Sequence, residues 1–250
     1  MSSRLVRGAV LAVGVEHLLR GLPGLARSRW QRTNHRGAPV SLLSGPSLAL
    51  ALAATSGSAP LAVAALGAAA VGAYDDATGS TDKGLRGHLG ALRQGRVTSG
   101  AAKVAGLALV GAVSSLLRPG RRTGRDVLVD AGLVAGTANL LNLLDLRPGR
   151  ALKAGLVAAA ALGQPGAVGA AAGLLPADLG ERSMLGDAGA NALGALLGAA
   201  LAGRVERPSR RTAVLGVLVA LTAASEVVSY SAVIDATPPL RWVDRWGRPA

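Results

Sequence analysis

The sequence predicts an all-α fold, a polytopic integral membrane protein with about eight or nine transmembrane helices. Three observations predict it. Half of the 250 residues are apolar and the mean hydropathy is +0.39. Only 16% are charged, against about 25% in an ordinary soluble domain. The charges are also bunched, with long uncharged runs between them, as loops alternate with spans. Ala, Gly and Leu dominate, a composition suited to close helix packing, as in "GALLG" at 194–198; codon bias would give the same richness. The chain has no Cys, which removes disulfides and thiolate chemistry.

A crossing needs about 20 apolar residues. Residues 5–25 are the weakest candidate, because Arg7, Glu16 and Arg20 interrupt them, and an amphipathic helix in the membrane interface is the alternative. No signal peptide is evident there, since 8–15 lacks a small-residue cleavage site. The run 37–74 contains no charged side chain and is long enough for two spans, divided by "TSGSAP" at 55–60. Further spans are expected at 98–117, 126–144, 188–203 and 212–234. Segment 154–177 is interrupted by "GQPG" at 163–166 and reads as one kinked crossing or as a hairpin of two short helices. With the hairpin there are about nine crossings, and the chain starts outside and ends inside. Loops 20–37, 75–103, 145–153, 178–187 and the tail 235–250 then share one face. That face holds most of the Lys and Arg, as cytoplasmic loops do, although the arginine-rich loops 118–125 and 204–211 on the other face run against the rule.

The net charge of +13 invites a nucleic-acid reading. With 2% aromatic residues, and basic side chains placed between apolar runs, no nucleic-acid partner is expected. Arginines at span ends meet lipid headgroups, or anionic substrates held at the membrane surface.

The polar motifs fall on the shared face. Asp75 and Asp76 close one span, "NLLNLLD" (139–145) closes another, and "LGDAGAN" (185–191) opens a third. Carboxylates at helix ends on one face can converge on one divalent cation. Mg²⁺ is commonly held by one or two carboxylates completed by substrate phosphates. Adjacent carboxylates raise each other's pKa unless a cation or basic group lies between them; the plain alternative is that Asp-Asp simply ends a helix. Asn139, Asn142 and Asp145 recur every third residue and so line one strip of a helix. Amides in a membrane helix mark a functional cavity or a helix–helix contact. Asp187 opens an uncharged helix, where a carboxylate complements the dipole, and Gly186 and Gly189 leave room for a ligand to approach. Lys83, Arg86, Arg93, Arg96 and Lys103 follow the aspartates, as solvated loop residues or as cations that clamp a diphosphate. The set suits phosphoryl transfer at a membrane surface.

In this order the motifs resemble the polyprenyl-phosphate N-acetylhexosamine-1-phosphate transferase family, which includes the phospho-N-acetylmuramoyl-pentapeptide transferase of peptidoglycan synthesis. The resemblance runs over about residues 34–203, leaving 204–250 as an extra helix and tail of a single membrane domain, 1–250. "NHRGAPVSLLSG" (34–45) is similar to the family's Arg-x-x-Gly-x-Pro-x-x-Gly-type loop, and "GAYDD" (72–76) to its Gly-x-x-Asp-Asp signature. "GRVTSGAAKVAG" (95–106) is similar to its lysine-bearing helix start. "NLLNLLDLRPGRA" (139–151) matches Asn-x-x-Asn-x-x-Asp-Gly-x-Asp-Gly-x-Ala in part. "GLLPADLGERSMLGDAGAN" (173–191) is similar to Gly-Phe-Leu-Pro leading to Met-Gly-Asp-x-Gly-Ser.

The resemblance implies transfer of an amino-sugar 1-phosphate from a UDP-sugar to a polyprenyl phosphate, with Mg²⁺ and release of UMP. It implies the cytoplasmic face of a bacterial plasma membrane, cell-envelope glycan synthesis, and a possible homodimer. Asp187 becomes the main Mg²⁺ ligand with Asp75 beside it, and Asp75 or Asp76 accepts the proton of the lipid phosphate. Asn139, Asn142 and Asp145 shape the nucleotide-sugar side, Lys103 and Lys83 contact substrate, and Gly37 and Gly45 are structural. The family fold places two helices between these motifs, which favours the hairpin for 154–177.

The departures are specific. Pro148 stands where the family has its second aspartate of the Asp-Gly-x-Asp-Gly element, and Leu146 where it has the first glycine. Ala190 replaces a serine, no histidine follows His88, and the family's final helix is missing. Three readings therefore stay open: an active, shortened transferase; a catalytically inactive relative that binds lipid-linked precursors or envelope partner proteins; and an unrelated small transporter whose intramembrane Asn, Asp130 and Glu226 line a path.

Overall fold

A computed structural model describes residues 2–22, 30–34, 36–78, 98–120 and 122–248. Lys83, Arg86, His88, Arg93 and Arg96 lie outside the described residues. The described chain runs α1 (Ser2–Gly21), β1 (Gln31–Thr33), β2 (Pro39–Ser41), α2 (Ser44–Thr55), α3 (Ala59–Thr78), α4 (Ser99–Leu116) and α5 (Gly124–Leu144). It continues through α6 (Arg150–Ala161), α7 (Pro165–Leu179), α8 (Gly186–Arg204), α9 (Pro208–Ser225), α10 (Tyr230–Ala236) and α11 (Pro238–Arg245).

The all-α expectation holds except for one hairpin, in which β1 pairs antiparallel with β2 and Arg32 faces Val40. Its turn follows from local chemistry. Asn34 Oδ1 accepts from the backbone N–H groups of Arg36 and Ala38, each at 2.9 Å, and Gly37 takes φ +81, a conformation open to glycine. Strands of three residues have too short a period to be read from sequence.

By length and apolarity α4 and α5, of 18 and 21 residues, can each cross a membrane. The pair α9 and α10 makes a third if taken as one broken span. Helices α2 and α6 have 12 residues each and α7 has 15, shorter than the roughly 20 that span a bilayer unaided. Of the two readings of 154–177 the hairpin is the one observed, α6 and α7 packing together across residues 162–164. The expected straight span at 212–234 is corrected. Helix α9 ends at Ser225 and α10 leaves at 92°, with Ser229 capping the new helix and Tyr230 Oη donating to Leu221 O at 2.7 Å.

Helix α8 lies at the centre, packed by α2, α3, α5 and α6, and buried along nearly its whole length. Small residues make this possible. A Cβ on Gly198 would stand 2.6 Å from Leu133 O and 2.8 Å from Val134 Cα, and one on Gly194 would stand 2.5 Å from Ala138 Cα. In lipid there is no hydrophobic force between helices, so such backbone approach supplies the van der Waals contact that holds a bundle. On the other flank α1 packs along α7 and α2, where Gly8 meets the Gly166 backbone and Gly169 that of Leu5. Outward faces keep Leu109, Leu128 and Val157 exposed, an apolar exterior that suits lipid.

The bundle has two unlike ends. At one, the ends of α3, α5 and α7 meet the starts of α4, α6 and α8 beneath the β-hairpin and the tail, as the loop assignment anticipated. At the other, Asp130 is buried and accepts from Ser115 Oγ, Arg118 Nη1 and Arg211 Nη1 at 2.7, 3.0 and 2.9 Å, while Arg211 Nη2 holds Asp126 at 2.6 Å. Asp130 thus clamps α4, α5 and α9 together.

Replacing Gly198 with Val should destabilise the bundle by at least about 1–3 kcal/mol, because the atoms it meets are backbone. Gly216→Ala, at a position with nothing within 4 Å, should be neutral or mildly stabilising. Thermal unfolding in detergent, followed by size-exclusion chromatography, checks both.

Candidate functional site

The first N–H groups of a helix have no partner within it, and α8 begins inside an apolar bundle. Gly186, at φ +60, turns the chain into the helix, and carboxylates then meet its first amides. Asp145 lies near enough to the Gly186 N–H for that amide to ease its ionisation. Asp76 Oδ1 accepts from Asp187 N–H at 3.3 Å and Oδ2 from Ala188 N–H at 3.1 Å. A Cβ on Gly186 would press on Asp76 Oδ2 and Leu42, each at 3.1 Å. The Asp76 backbone carbonyl accepts from Arg32 Nη2, tying the β-hairpin to the end of α3.

Fixing Asp76 on the start of α8 brings its neighbour Asp75 beside Asp187. Both carboxylates meet one cation, the ammonium of Lys103 from the first turns of α4, at 3.2 and 2.5 Å. Among the described residues, Asp75 Oδ1 is buried without a hydrogen-bond partner, as is Asp145 Oδ2. Asp178, at the end of α7, accepts from Gly149 N–H and so joins α7 to the start of α6.

These aspartates lie beyond the ends of the apolar spans, and their acidities diverge. Burial pushes Asp187 up to about 7, helped by the hydrogen bond with Asp75 and opposed by Lys103. Asp75 is also pushed up by burial, but the Asp187 hydrogen bond and the Lys103 ammonium outweigh this and hold it below the usual carboxylate range. Burial raises Asp76 against the two amides it caps. Burial, and then the charge of Asp178, carry Asp145 well above the ordinary value. Asp178 itself rises to about 6 through burial, opposed by Gly149 N–H.

A cavity of about 240 Å³ opens beside this cluster. Its walls include Asn34 of the hairpin, Asp145, Arg147 and Pro148 after α5, Asp178 in the last turn of α7 and Glu181 just beyond it. Asn34 Nδ2 also donates to Glu181 Oε2 across the mouth.

No protein-family model and no curated protein matches the chain.

Of the residues singled out from sequence, Asp75, Asp76, Asp187 and Lys103 come together, with Asp145 behind them. Asn139 does not join them. Its Nδ2 donates to Thr222 Oγ1 at 3.1 Å, which makes it a link between α5 and α9. Asn142 is half-buried one turn nearer the site, and Lys83 lies outside the described residues. Among the described residues, no group of three or more His, Cys, Asp or Glu side chains is gathered as a metal cage. Sequence reasoning missed Asp178 and Arg32. Asp178 carried the same signal as Asp145, a carboxylate just past an uncharged span. A lone arginine before a turn carried none.

A carboxyl whose folded-state pKa is raised contributes stability that is complete below its unfolded value and is lost as pH rises through the folded one. For Asp178 that window runs from the ordinary value of 3.8 to about 6. Wild type should therefore lose stability across it relative to Asp178→Asn, by up to about 3 kcal/mol. Melting temperatures of the two proteins compared at pH 4.5 and pH 7 test this.

Proposed function

We propose that the protein is a membrane phosphoryl transferase that moves an amino-sugar 1-phosphate from a UDP-sugar to a polyprenyl phosphate, in bacterial cell-envelope glycan synthesis. One observation carries the reading: carboxylates from α3 and α8 share a single cation, the ammonium of Lys103 from α4, beside a cavity at one end of an apolar bundle. The proposal takes the bundle as about eight or nine crossings of the plasma membrane, with this end cytoplasmic. The short helices α2, α6 and α7 then complete their spans with flanking residues.

The donor set suits a hard divalent cation. Asp75 and Asp187 already converge on one positive charge, and Asp75 Oδ1 is a buried acceptor without a partner. These two residues would hold Mg²⁺, with phosphate oxygens filling the remaining positions, and the ion would neutralise charge on the diphosphate. The other roles follow from this chain's own contacts. Asp76 is occupied by the amides of Asp187 and Ala188, so it positions α8 and is not free to act as a base. Asp75 is held ionised beside Lys103, the state a metal ligand requires, and the lipid phosphate attacks as its dianion. Lys103 offers its ammonium to phosphoryl oxygens as charge develops on them. In the reaction, an oxygen of the lipid phosphate attacks the phosphorus that bears the sugar. A new P–O bond forms, the bond to the bridging oxygen breaks, and UMP leaves with that electron pair.

The second reading, a catalytically inactive relative that binds lipid-linked precursors, draws on two features. Lys103 already neutralises Asp75 and Asp187, and Pro148 walls the cavity where the family places an acid. A transporter path through Asp130 has less support, since that carboxylate is spent on Ser115, Arg118 and Arg211.

Purified protein incubated with UDP-amino sugars, polyprenyl phosphate and Mg²⁺ should release UMP. Asp75→Asn and Asp187→Asn should each reduce the rate by about 10²-fold or more. Retained polyprenyl-phosphate binding without UMP release from any UDP-amino sugar would select the inactive relative. Separately, Lys103→Met should destabilise the fold by about 3–5 kcal/mol in the absence of divalent cations. Mg²⁺ should then raise the melting temperature of this variant more than that of wild type. An equal response would remove Asp75 and Asp187 as metal ligands.

A further inference from the structure

Two of the chain's three tryptophans, Trp242 and Trp246, lie in and just after α11, and the site above uses neither. One side of α11 is fastened to the bundle. Asp244 is 5% exposed and accepts from Arg150 Nε at 2.9 Å and Nη2 at 3.1 Å, while Arg248 Nη2 adds a third bond at 2.6 Å. Lys153 Nζ donates to the carbonyls of Val243, Asp244 and Trp246 at 2.9, 2.9 and 2.6 Å.

The other side is open. A helix turns about 100° per residue, so Trp242, two residues before Asp244, looks away from the bundle. It is 70% exposed and Trp246 is 62% exposed. With Pro238, Arg241 and Arg245 they line a shallow groove of about 450 Å³. Asp244 is consumed by Arg150 and Arg248, and among the described residues no carboxylate pairs with Arg241 or Arg245.

The chain reaches this point by turning through 92° at the end of an apolar helix. A segment that leaves a span and turns aside comes to lie along the membrane surface. Indole rings favour the headgroup level. Guanidinium groups grip phosphate in a bidentate fork, and paired cations beside them are drawn to anionic lipid.

We propose that α11 is a headgroup-binding element, in which Arg241, Trp242, Arg245 and Trp246 seat the phosphates of anionic phospholipid at the same end of the bundle as the Lys103 cluster. This goes beyond the transferase reading and does not rest on it. The element also touches the cavity loop, because Arg248 Nε donates to Pro148 O at 3.0 Å and Arg150 opens α6. Lipid engagement at α11 and the set of the 145–150 wall are mechanically joined.

The test uses the full chain with Trp30→Tyr, so that Trp242 and Trp246 alone fluoresce, in nanodiscs of phosphatidylcholine with or without phosphatidylglycerol. With phosphatidylglycerol, a lipid spin-labelled at its headgroup should quench the emission strongly and acrylamide weakly. In phosphatidylcholine alone, and in Arg241→Glu/Arg245→Glu in either lipid, lipid quenching should fall and acrylamide access should return. Acrylamide quenching that is unchanged by phosphatidylglycerol would overturn the proposal, as would lipid quenching that survives the charge reversal. Protection from acrylamide in phospholipid-free detergent that grows with protein concentration would overturn it in favour of a second copy of the chain.

Discussion

The start of α8 needs hydrogen-bond acceptors at a largely buried end of an apolar bundle, and the rest of the site is built around that need. Two successive amides, of Asp187 and Ala188, are answered by Asp76, and Asp145 stands near the Gly186 amide before them. Because Asp76 ends α3 and Asp145 ends α5, the contacts at the start of α8 bring three helix ends together. They leave Asp75 next to Asp187, an arrangement that is stable only with positive charge between the two. Lys103 supplies it from α4.

What makes this affordable is the packing further along α8. Its glycines and alanines let α3 and α5 approach at backbone distance, so the helix ends cannot slide apart to relieve the crowding of acids. A cluster of raised carboxyls is thus retained by rigid helices and not by flexible loops, which is how a polar site keeps its geometry beside lipid. The opposite end solves a similar problem with the sign reversed. There Arg118 and Arg211 meet on one buried aspartate, Asp130. The two ends of the bundle therefore present different chemistry, acids around a lysine at one and arginines around an aspartate at the other.

The position of the acid cluster also bears on what it can meet. It lies where α3 and α5 end and α4, α6 and α8 begin, beneath the β-hairpin and beside a cavity walled by polar loops. Under the proposed function, a reactant whose phosphate is tethered to a lipid comes no deeper than this level, while a soluble nucleotide sugar reaches it from water. In that reading the carboxylates, at the lip of an apolar segment, stand at the depth where the two reactants would meet.

The sequence by itself determined the helical class, the turn at 55–60, the shared end of the polar motifs, and Asp75, Asp76 and Asp187 as a group, while Lys103 was singled out only by the family resemblance. These follow from composition, from uncharged runs and from acids at run ends, which are local quantities. The resemblance implied a nucleotide-side role for Asn139, while its spacing left a functional cavity and a helix–helix contact both open, because a strip along a helix does not say which neighbour it faces; that neighbour is Thr222 of α9. Tertiary structure alone decided that Asp76 caps α8 while Asp75 shares a cation, that Asp178 joins the cluster, and that the chain breaks at 226–229. Each of these depends on which backbone amide or charge lies within about 3 Å across a gap of many residues, a distance that hydrogen bonding requires and that no one-dimensional pattern encodes.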